Sequence, residues 1–257
     1  MTSLETVLWV ALPYISLTLM IGGLIWRYRS DQFGWTSRSS EIHEHVILRA
    51  ASPLFHFGII FVFFGHVLGL IVPKTWTAAV GVSDHLYHLT AVTLGGIAGL
   101  MTIVGMFGLL YRRFVTKRVR LASSTRDKVV WFFLAIPILL GGYATAAHQI
   151  FGSAGGFDYR ATISPWLRSI LVFQPQPELM ASVPTAFKLH VISAFILFAV
   201  WPFTRLVHVT SAPVLYPTRP YVVYRSREGS TLDNRREGWR PVATRPTPEG
   251  QTPSQGA

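Results

Sequence analysis

Long apolar runs separated by polar ones dominate the chain. Five of them reach the roughly 20 mostly apolar residues that a helix needs to cross a bilayer: Leu4 to Trp26, Ser52 to Val72, His85 to Tyr111, Val129 to Ile150 and Ala186 to Val207. The pattern predicts an all-α integral membrane protein with five transmembrane helices in one membrane domain, residues 1–210. A polar tail, residues 211–257, follows. The first run reads as a span rather than a cleaved leader. It lacks a basic start, and it ends at Trp26-Arg27-Tyr28-Arg29 without a small-residue cleavage site. Between spans four and five lies a long loop, Phe151 to Pro184. Its stretch from Trp166 to Phe173 predicts a short interfacial helix, with Trp and Phe suited to the headgroup region.

The basic residues set the direction of the spans. The loop after span one holds Arg27, Arg29, Arg38 and Arg49. The loop after span three holds Arg112, Arg113, Lys117, Arg118, Arg120, Arg126 and Lys128. Eight arginines from Arg205 to Arg245 lie in the tail and its approach, so 19 of the 23 Lys and Arg fall on one side. The other side has Lys74, Arg160, Arg168 and Lys188. The N-terminus is therefore expected outside and the C-terminus in the cytoplasm, in a prokaryotic cytoplasmic (inner) membrane. The net charge of +11 is explained by these loops facing lipid and cytoplasm, so no nucleic-acid partner is expected. The tail from Arg225 to Ala257 has too little apolar content for a core of its own. It either orders against a cytoplasmic partner subunit or stays unstructured near anionic lipid.

Charged residues are only 14% of the chain, well below the roughly 25% of soluble domains. There is no cysteine, which excludes disulfides, thiolate-held clusters, cysteine-held zinc and covalent c-type haem. Any iron here is held by nitrogen, and histidine is the available ligand.

Four histidines lie in or beside apolar runs: His56 and His66 on span two, His190 and His208 on and just past span five. An imidazole in a bilayer is costly and generally has a partner and a task. Spans two and five run in opposite directions, so depth pairs His66 with His190 near the outer face and His56 with His208 near the inner face. Two bis-histidine haems, and an electron path through the membrane, are the reading. From His190 to His208 is about five whole helical turns, and His56 to His66 falls about 80° short of whole turns. The separations differ, about 27 Å against about 15 Å along a helix, so strong tilt or a bend at Pro202 must absorb the difference. His43 and His45 read as solvated, and His148 as a helix cap. Gly58, Gly65 and Gly69 line span two and Gly95, Gly96 and Gly99 span three; helix packing accounts for most of them. Gly65, beside His66, is the candidate for haem or quinone contact. Arg205 and the pair Arg112-Arg113 read as partners of haem propionates or, more generally, of lipid phosphates.

The most specific stretches are Trp26-Arg27-Tyr28 with Gly34-Trp35 and Ser39-Ser40, Leu54-Phe55-His56, Gly65-His66, Lys117-Arg118-Val119-Arg120, Lys188-Leu189-His190, and Pro202-Phe203-Thr204-Arg205-Leu206-Val207-His208. Together they resemble the gamma subunit of membrane-bound respiratory nitrate reductase, a five-helix di-haem cytochrome b, over about residues 13 to 227. The resemblance implies two haem b groups, the distal one matching His66 and His190 and the proximal one His56 and His208. It implies an electron-transfer subunit of a quinol:nitrate oxidoreductase of anaerobic respiration. Menaquinol or ubiquinol is oxidised near the outer face with proton release there. Electrons pass to an iron–sulfur beta subunit and then to a molybdenum-containing alpha subunit, where nitrate becomes nitrite.

One departure touches the quinol site. The family pattern has a lysine at the outer start of span three, where this chain has Asp84-His85-Leu86-Tyr87-His88. His85 or His88 then stands as the group that binds a quinone oxygen or takes its proton, with Gly65 and His66 beside it. The extension past Arg227 is also longer than the resemblance leads one to expect. Three other readings stand beside the first: a cytochrome b anchor of another cytoplasmic reductase of heterodisulfide or sulfite type, a proton-relay transporter, and a haem-free anchor. Apart from Glu5 at the very edge of the first, the spans hold no Asp or Glu, which weighs against a pump.

Overall fold

The computed structural model describes residues 2–31, 34–35, 41–152, 156–211 and 218, with the backbone alone at Thr125 and Arg126. Arg38, Ser39-Ser40 and the tail beyond Ser211, apart from Thr218, lie outside the described residues. Among the described residues every regular element is a helix. Five are long and apolar enough to cross a membrane. They are α1 (Ser3–Ser30), α2 (Val46–Ile71), α4 (Asp84–Phe114), α6 (Thr125–Thr145, continued by a π turn Ala146–Ile150) and α8 (Thr185–Val200), whose span is completed by the 3₁₀ turn that ends at Phe203. Three shorter helices connect them: α3 (Lys74–Ala79), α5 (Lys117–Ala122) and α7 (Ile163–Leu171). The bundle has a His66 end, where α2 and α6 finish and α4 and α8 begin, and a His56 end opposite.

Small residues bring α2 and α4 together. A Cβ on Gly105 would lie 2.4 Å from the Phe55 nitrogen, one on Gly58 2.7 Å from the Thr102 nitrogen, and one on Gly108 2.8 Å from Ala51 Cβ. In lipid there is no water to drive helices together, so backbone-to-backbone packing of this kind holds them. It also fixes Phe55, and with it the neighbouring His56. Of the glycines singled out in the sequence, Gly58 serves this contact and Gly69 packs on Tyr159, whereas a Cβ on Gly65, Gly95, Gly96 or Gly99 would meet nothing within 4 Å.

At the His56 end, charged side chains join the helices. Glu44 accepts from Arg112 Nε at 2.6 Å and from the Ile47 amide at 2.7 Å, so it both caps α2 and ties it to α4. Asp127, in a capping box with Ser124 at the start of α6, faces Arg113 of α4 and Arg205. Arg112 is 3% exposed. It is an internal tie, not the lipid anchor that the sequence suggests for the Arg112-Arg113 pair.

At the His66 end the largest side chains gather. Trp9, Ile163, Trp166, Ile170, Met180, Val183 and Phe195 form the core where α1, α7 and α8 meet. Trp166 donates its Nε1–H to the Trp9 carbonyl at 3.1 Å and packs edge-on to the Trp9 ring. The interfacial helix expected at Trp166–Phe173 is present as α7, but Trp166 lies in the core rather than among headgroups.

The fifth span departs from its expected length. The α-helix stops at Val200 instead of Val207 and gives way to 3₁₀ turns at Trp201–Phe203 and Arg205–Val209. Between them Thr204 is extended, with φ −116° and ψ 178°. Pro202 has no N–H to continue the ladder. His208 is therefore not five turns along one continuous helix from His190, and the mismatch of separations along two straight helices does not arise.

Replacing Gly105 by Ala should push α4 off the Phe55 backbone and cost about 1–3 kcal/mol, the range for overpacking. A lower thermal midpoint in detergent is the expected result; an unchanged one would mean that the helices part freely.

Candidate functional site

The four membrane histidines share one hydrogen-bond pattern. His56 Nδ1 lies 2.7 Å from the Ser52 carbonyl and 3.2 Å from its hydroxyl. His66 Nδ1 is 2.8 Å from the Val62 carbonyl, His190 Nδ1 2.9 Å from the Pro137 carbonyl, and His208 Nδ1 2.5 Å from the Arg205 carbonyl. A carbonyl oxygen only accepts, so each ring must carry its proton on Nδ1. Each Nε2 then keeps a free lone pair, the form in which imidazole binds a metal. His43, His45, His85, His88 and His148 make no ring hydrogen bond among the described residues. His43 and His45 are exposed, as expected of a polar loop.

The structure brings His66 and His190 ring to ring, with centroids 6.0 Å apart and planes 44° to each other. Two metal–nitrogen bonds of about 2 Å in line, with a ring radius added at each end, span roughly 6 Å. The pair therefore fits two axial ligands of one metal. Among the described residues no three His, Asp or Glu side chains converge. The pair offers two ligands, which suits a metal that brings four nitrogens of its own in a macrocycle. Among the described residues no ring contact joins His56 to His208. His56 packs edge-on to Phe55, at 5.4 Å between centroids.

The seat of His190 depends on Gly141 and Pro137 of α6. A Cβ on Gly141 would stand 2.8 Å from His190 Cε1 and 3.0 Å from its Nδ1. The missing side chain lets the imidazole reach the carbonyl one turn earlier. Neither residue stood out in the sequence, although a Pro-x-x-x-Gly step inside a membrane helix marks a place where backbone can be approached.

Beyond His66, α2 loosens into a π turn, Val67–Ile71, a form frequent at functional sites. Its terminal carbonyls are bound by the connecting segment. Ser164 Oγ and Arg168 Nη1 donate to the Leu70 carbonyl at 2.8 and 3.1 Å, and Arg160 Nη2 to Thr77 Oγ1 at 3.1 Å and to the Val72 carbonyl at 3.4 Å. Cations at a helix C-terminus oppose its negative dipole end. The Arg160 guanidinium also lies over the Tyr87 ring, 3.8 Å from its centroid. Tyr159 and Tyr87 meet beside Gly69, one turn past His66.

The two quinol-site candidates at the start of α4 differ. His85 is exposed, whereas His88 is half-buried against the end of α6. A Cβ on Gly156, whose φ is +68°, would lie 2.8 Å from His88 Cε1 and 2.4 Å from Gln149 Oε1. His148 turns its ring to Phe187 and its carbonyl accepts from the Phe157 amide, so it closes the turn after α6. A lysine does stand near the start of α4, though not within it. Lys74 of α3 is bonded to Asp158 and lies 3.8 Å from Asp84.

Burial, and next the Tyr87 phenol, push the Tyr159 phenol above its ordinary value of 10.0. A raised folded-state value favours the folded form below about pH 10 and withdraws that support as pH rises toward the folded value. Tyr159→Phe should therefore flatten the loss of stability above pH 10, read as thermal midpoint against pH. A slope equal to wild type would count against the buried phenol as its source.

The model of the nitrate reductase gamma subunit family matches residues 5–227. The Nitrate reductase-like protein NarX of Mycobacterium tuberculosis is 48% identical over 233 residues, which cover 90% of this chain and 35% of that protein. The chain thus spans about a third of the length of that relative. The nitrate reductase gamma chain of Bacillus subtilis is 47% identical over 86% of this chain and 98% of its own length. The respiratory nitrate reductase 2 gamma chain of Escherichia coli is 37% identical over 84% and 94%. Matched by the family model over most of its length, and alignable with a gamma chain almost end to end, this chain belongs to the nitrate reductase gamma subunit family.

Proposed function

We propose that this chain is the quinol-oxidising, di-haem b membrane subunit of a nitrate reductase complex. It takes electrons from quinol at the outer face and delivers them to iron–sulfur and molybdenum subunits in the cytoplasm, which reduce nitrate to nitrite. The observation that carries this reading is the shared tautomer of His56, His66, His190 and His208. These four rings give their Nδ1–H to main-chain carbonyls and leave Nε2 free, and among the described residues the other five histidines make no such bond. The 6.0 Å spacing of His66 and His190 supports one haem between them at the outer end. His56 and His208 are the ligands of a second at the inner end.

Held by His66 with His190 and by His56 with His208, haem would supply one-electron transfer. The chain's own residues do the rest. The carbonyl at each Nδ1–H fixes the ring and raises its basicity as a ligand. Gly65 leaves space beside His66 for a flat ring. His88, half-buried at the same end, takes the quinol proton and releases it outside. The asymmetry of Lys and Arg supports this orientation, and the basic inner loops face the partner subunits.

Purified from membranes as a complex, the protein should hold two haem b per gamma chain, reducible by a quinol analogue. His66→Tyr should leave one, and should abolish quinol-driven nitrate reduction while dye-driven reduction by the partner subunits persists. Two haems in that variant would refute the role given to His66. Gly141→Ala, by displacing His190, should weaken retention of the same haem about 10-fold, as loss of an outer-shell partner does; wild-type retention, read by absorbance as haem is drawn off by an acceptor protein, would contradict it.

A further inference from the structure

The turn that carries His208 is held from two sides by residues with no assigned part. Arg27, near the end of α1, donates from Nη1 to the Pro202 carbonyl at 2.7 Å and to the Thr204 carbonyl at 2.8 Å. These carbonyls flank the break after α8; that of Pro202 has no backbone donor among the described residues, and that of Thr204 opens the 3₁₀ turn that carries His208. The approach is close because α1 has Gly23 there; a Cβ on it would lie 2.8 Å from Pro202 Cβ. From the other side comes Asp127, 5% exposed. Its Oδ1 is 2.6 Å from Arg205 Nε, a charge contact without hydrogen-bond alignment. Its Oδ2 accepts from the Ser124 amide at 3.0 Å, so the carboxylate is fixed by its own capping box. Arg205, held in this way, offers its carbonyl to the Nδ1–H of His208.

We propose that Arg27 and Asp127 are positioning residues for His208. Arg27 sets where the chain leaves the helical path, and Asp127 sets the residue whose carbonyl orients the imidazole. Neither touches the ring. Together they determine the depth and rotation of the inner ligand, and through it the properties of the iron it binds. The outer histidines have a different support, since His66 leans on its own helix and His190 on α6. The two irons are therefore tuned separately. The inference rests on the di-haem reading above.

The test uses the assembled complex carrying Arg27→Gln or Asp127→Asn. Haem content, low-spin electron paramagnetic resonance and a redox titration are recorded for each form. The His66→Tyr form, keeping only the inner haem, identifies which signal is which. The expected result is a change confined to the inner haem: about 10-fold weaker retention, or a displaced titration and altered resonance, with the outer haem as in wild type. Arg27→Lys, which keeps a donor cation, should restore part of the wild-type signal. Wild-type signals from both haems in the Gln and Asn forms would overturn the proposal. Equal disturbance of both haems would also overturn it, since Arg27 and Asp127 would then be general ties of the bundle. If those forms do not accumulate, Arg27→Lys and Asp127→Glu carry the same comparison, because they keep the charge and move the contact atoms. A wild-type complex without haem would instead sink the di-haem reading itself.

Discussion

An N–H inside hydrocarbon must find its acceptor within the protein, because no water is there to take its place. For the four membrane imidazoles this one constraint arranges much of the structure around them. A helix offers few spare acceptors, since its carbonyls already serve the backbone ladder. His56 and His66 share carbonyls four residues earlier on α2. His190 looks to a neighbouring helix, which must come close and lack a side chain at Gly141. His208 stands where the α-helix has ended, on a carbonyl three residues earlier.

The two ends of the bundle meet the same demand with different material. At the His66 end, large side chains and a connecting helix do the work: Trp166 against Trp9, and Ser164 and Arg168 both on the Leu70 carbonyl of α2. At the His56 end, carboxylates and guanidiniums join the helices: Glu44 with Arg112, Asp127 with Arg113 and Arg205. Each pair has one partner almost wholly covered, so removing the other leaves a charge without compensation.

Much of this was legible in the sequence, for reasons that differ from residue to residue. The five spans were visible because bilayer thickness sets a length that composition reveals. The match of His66 with His190 followed from antiparallel spans and depth. The end of α8 at Val200 was not visible, since Phe203, Leu206 and Val207 are as apolar as a helix requires. Only Pro202 hinted at the stop, and the extended Thr204 had no local signal. Arg112 was misread because a basic residue at a helix end looks the same whether it meets phosphate or Glu44, 68 positions away. Pro137 and Gly141 were missed for a similar reason. Their importance comes from His190, about 50 residues downstream, and a packing contact across helices leaves no periodic trace.

The short α-helical part of the last span bears on how that span is placed. Its 16 residues rise about 24 Å, less than the roughly 30 Å of a hydrocarbon core. The rest of the crossing is 3₁₀ turn and extended chain, with carbonyls that lipid cannot solvate. Arg27 of α1 donates to two of them, from 175 and 177 residues away along the chain. The break after α8 thus depends on a side chain of α1. The α8 segment takes its full form only where it meets α1, so its placement is coupled to a contact 175 residues away in the chain.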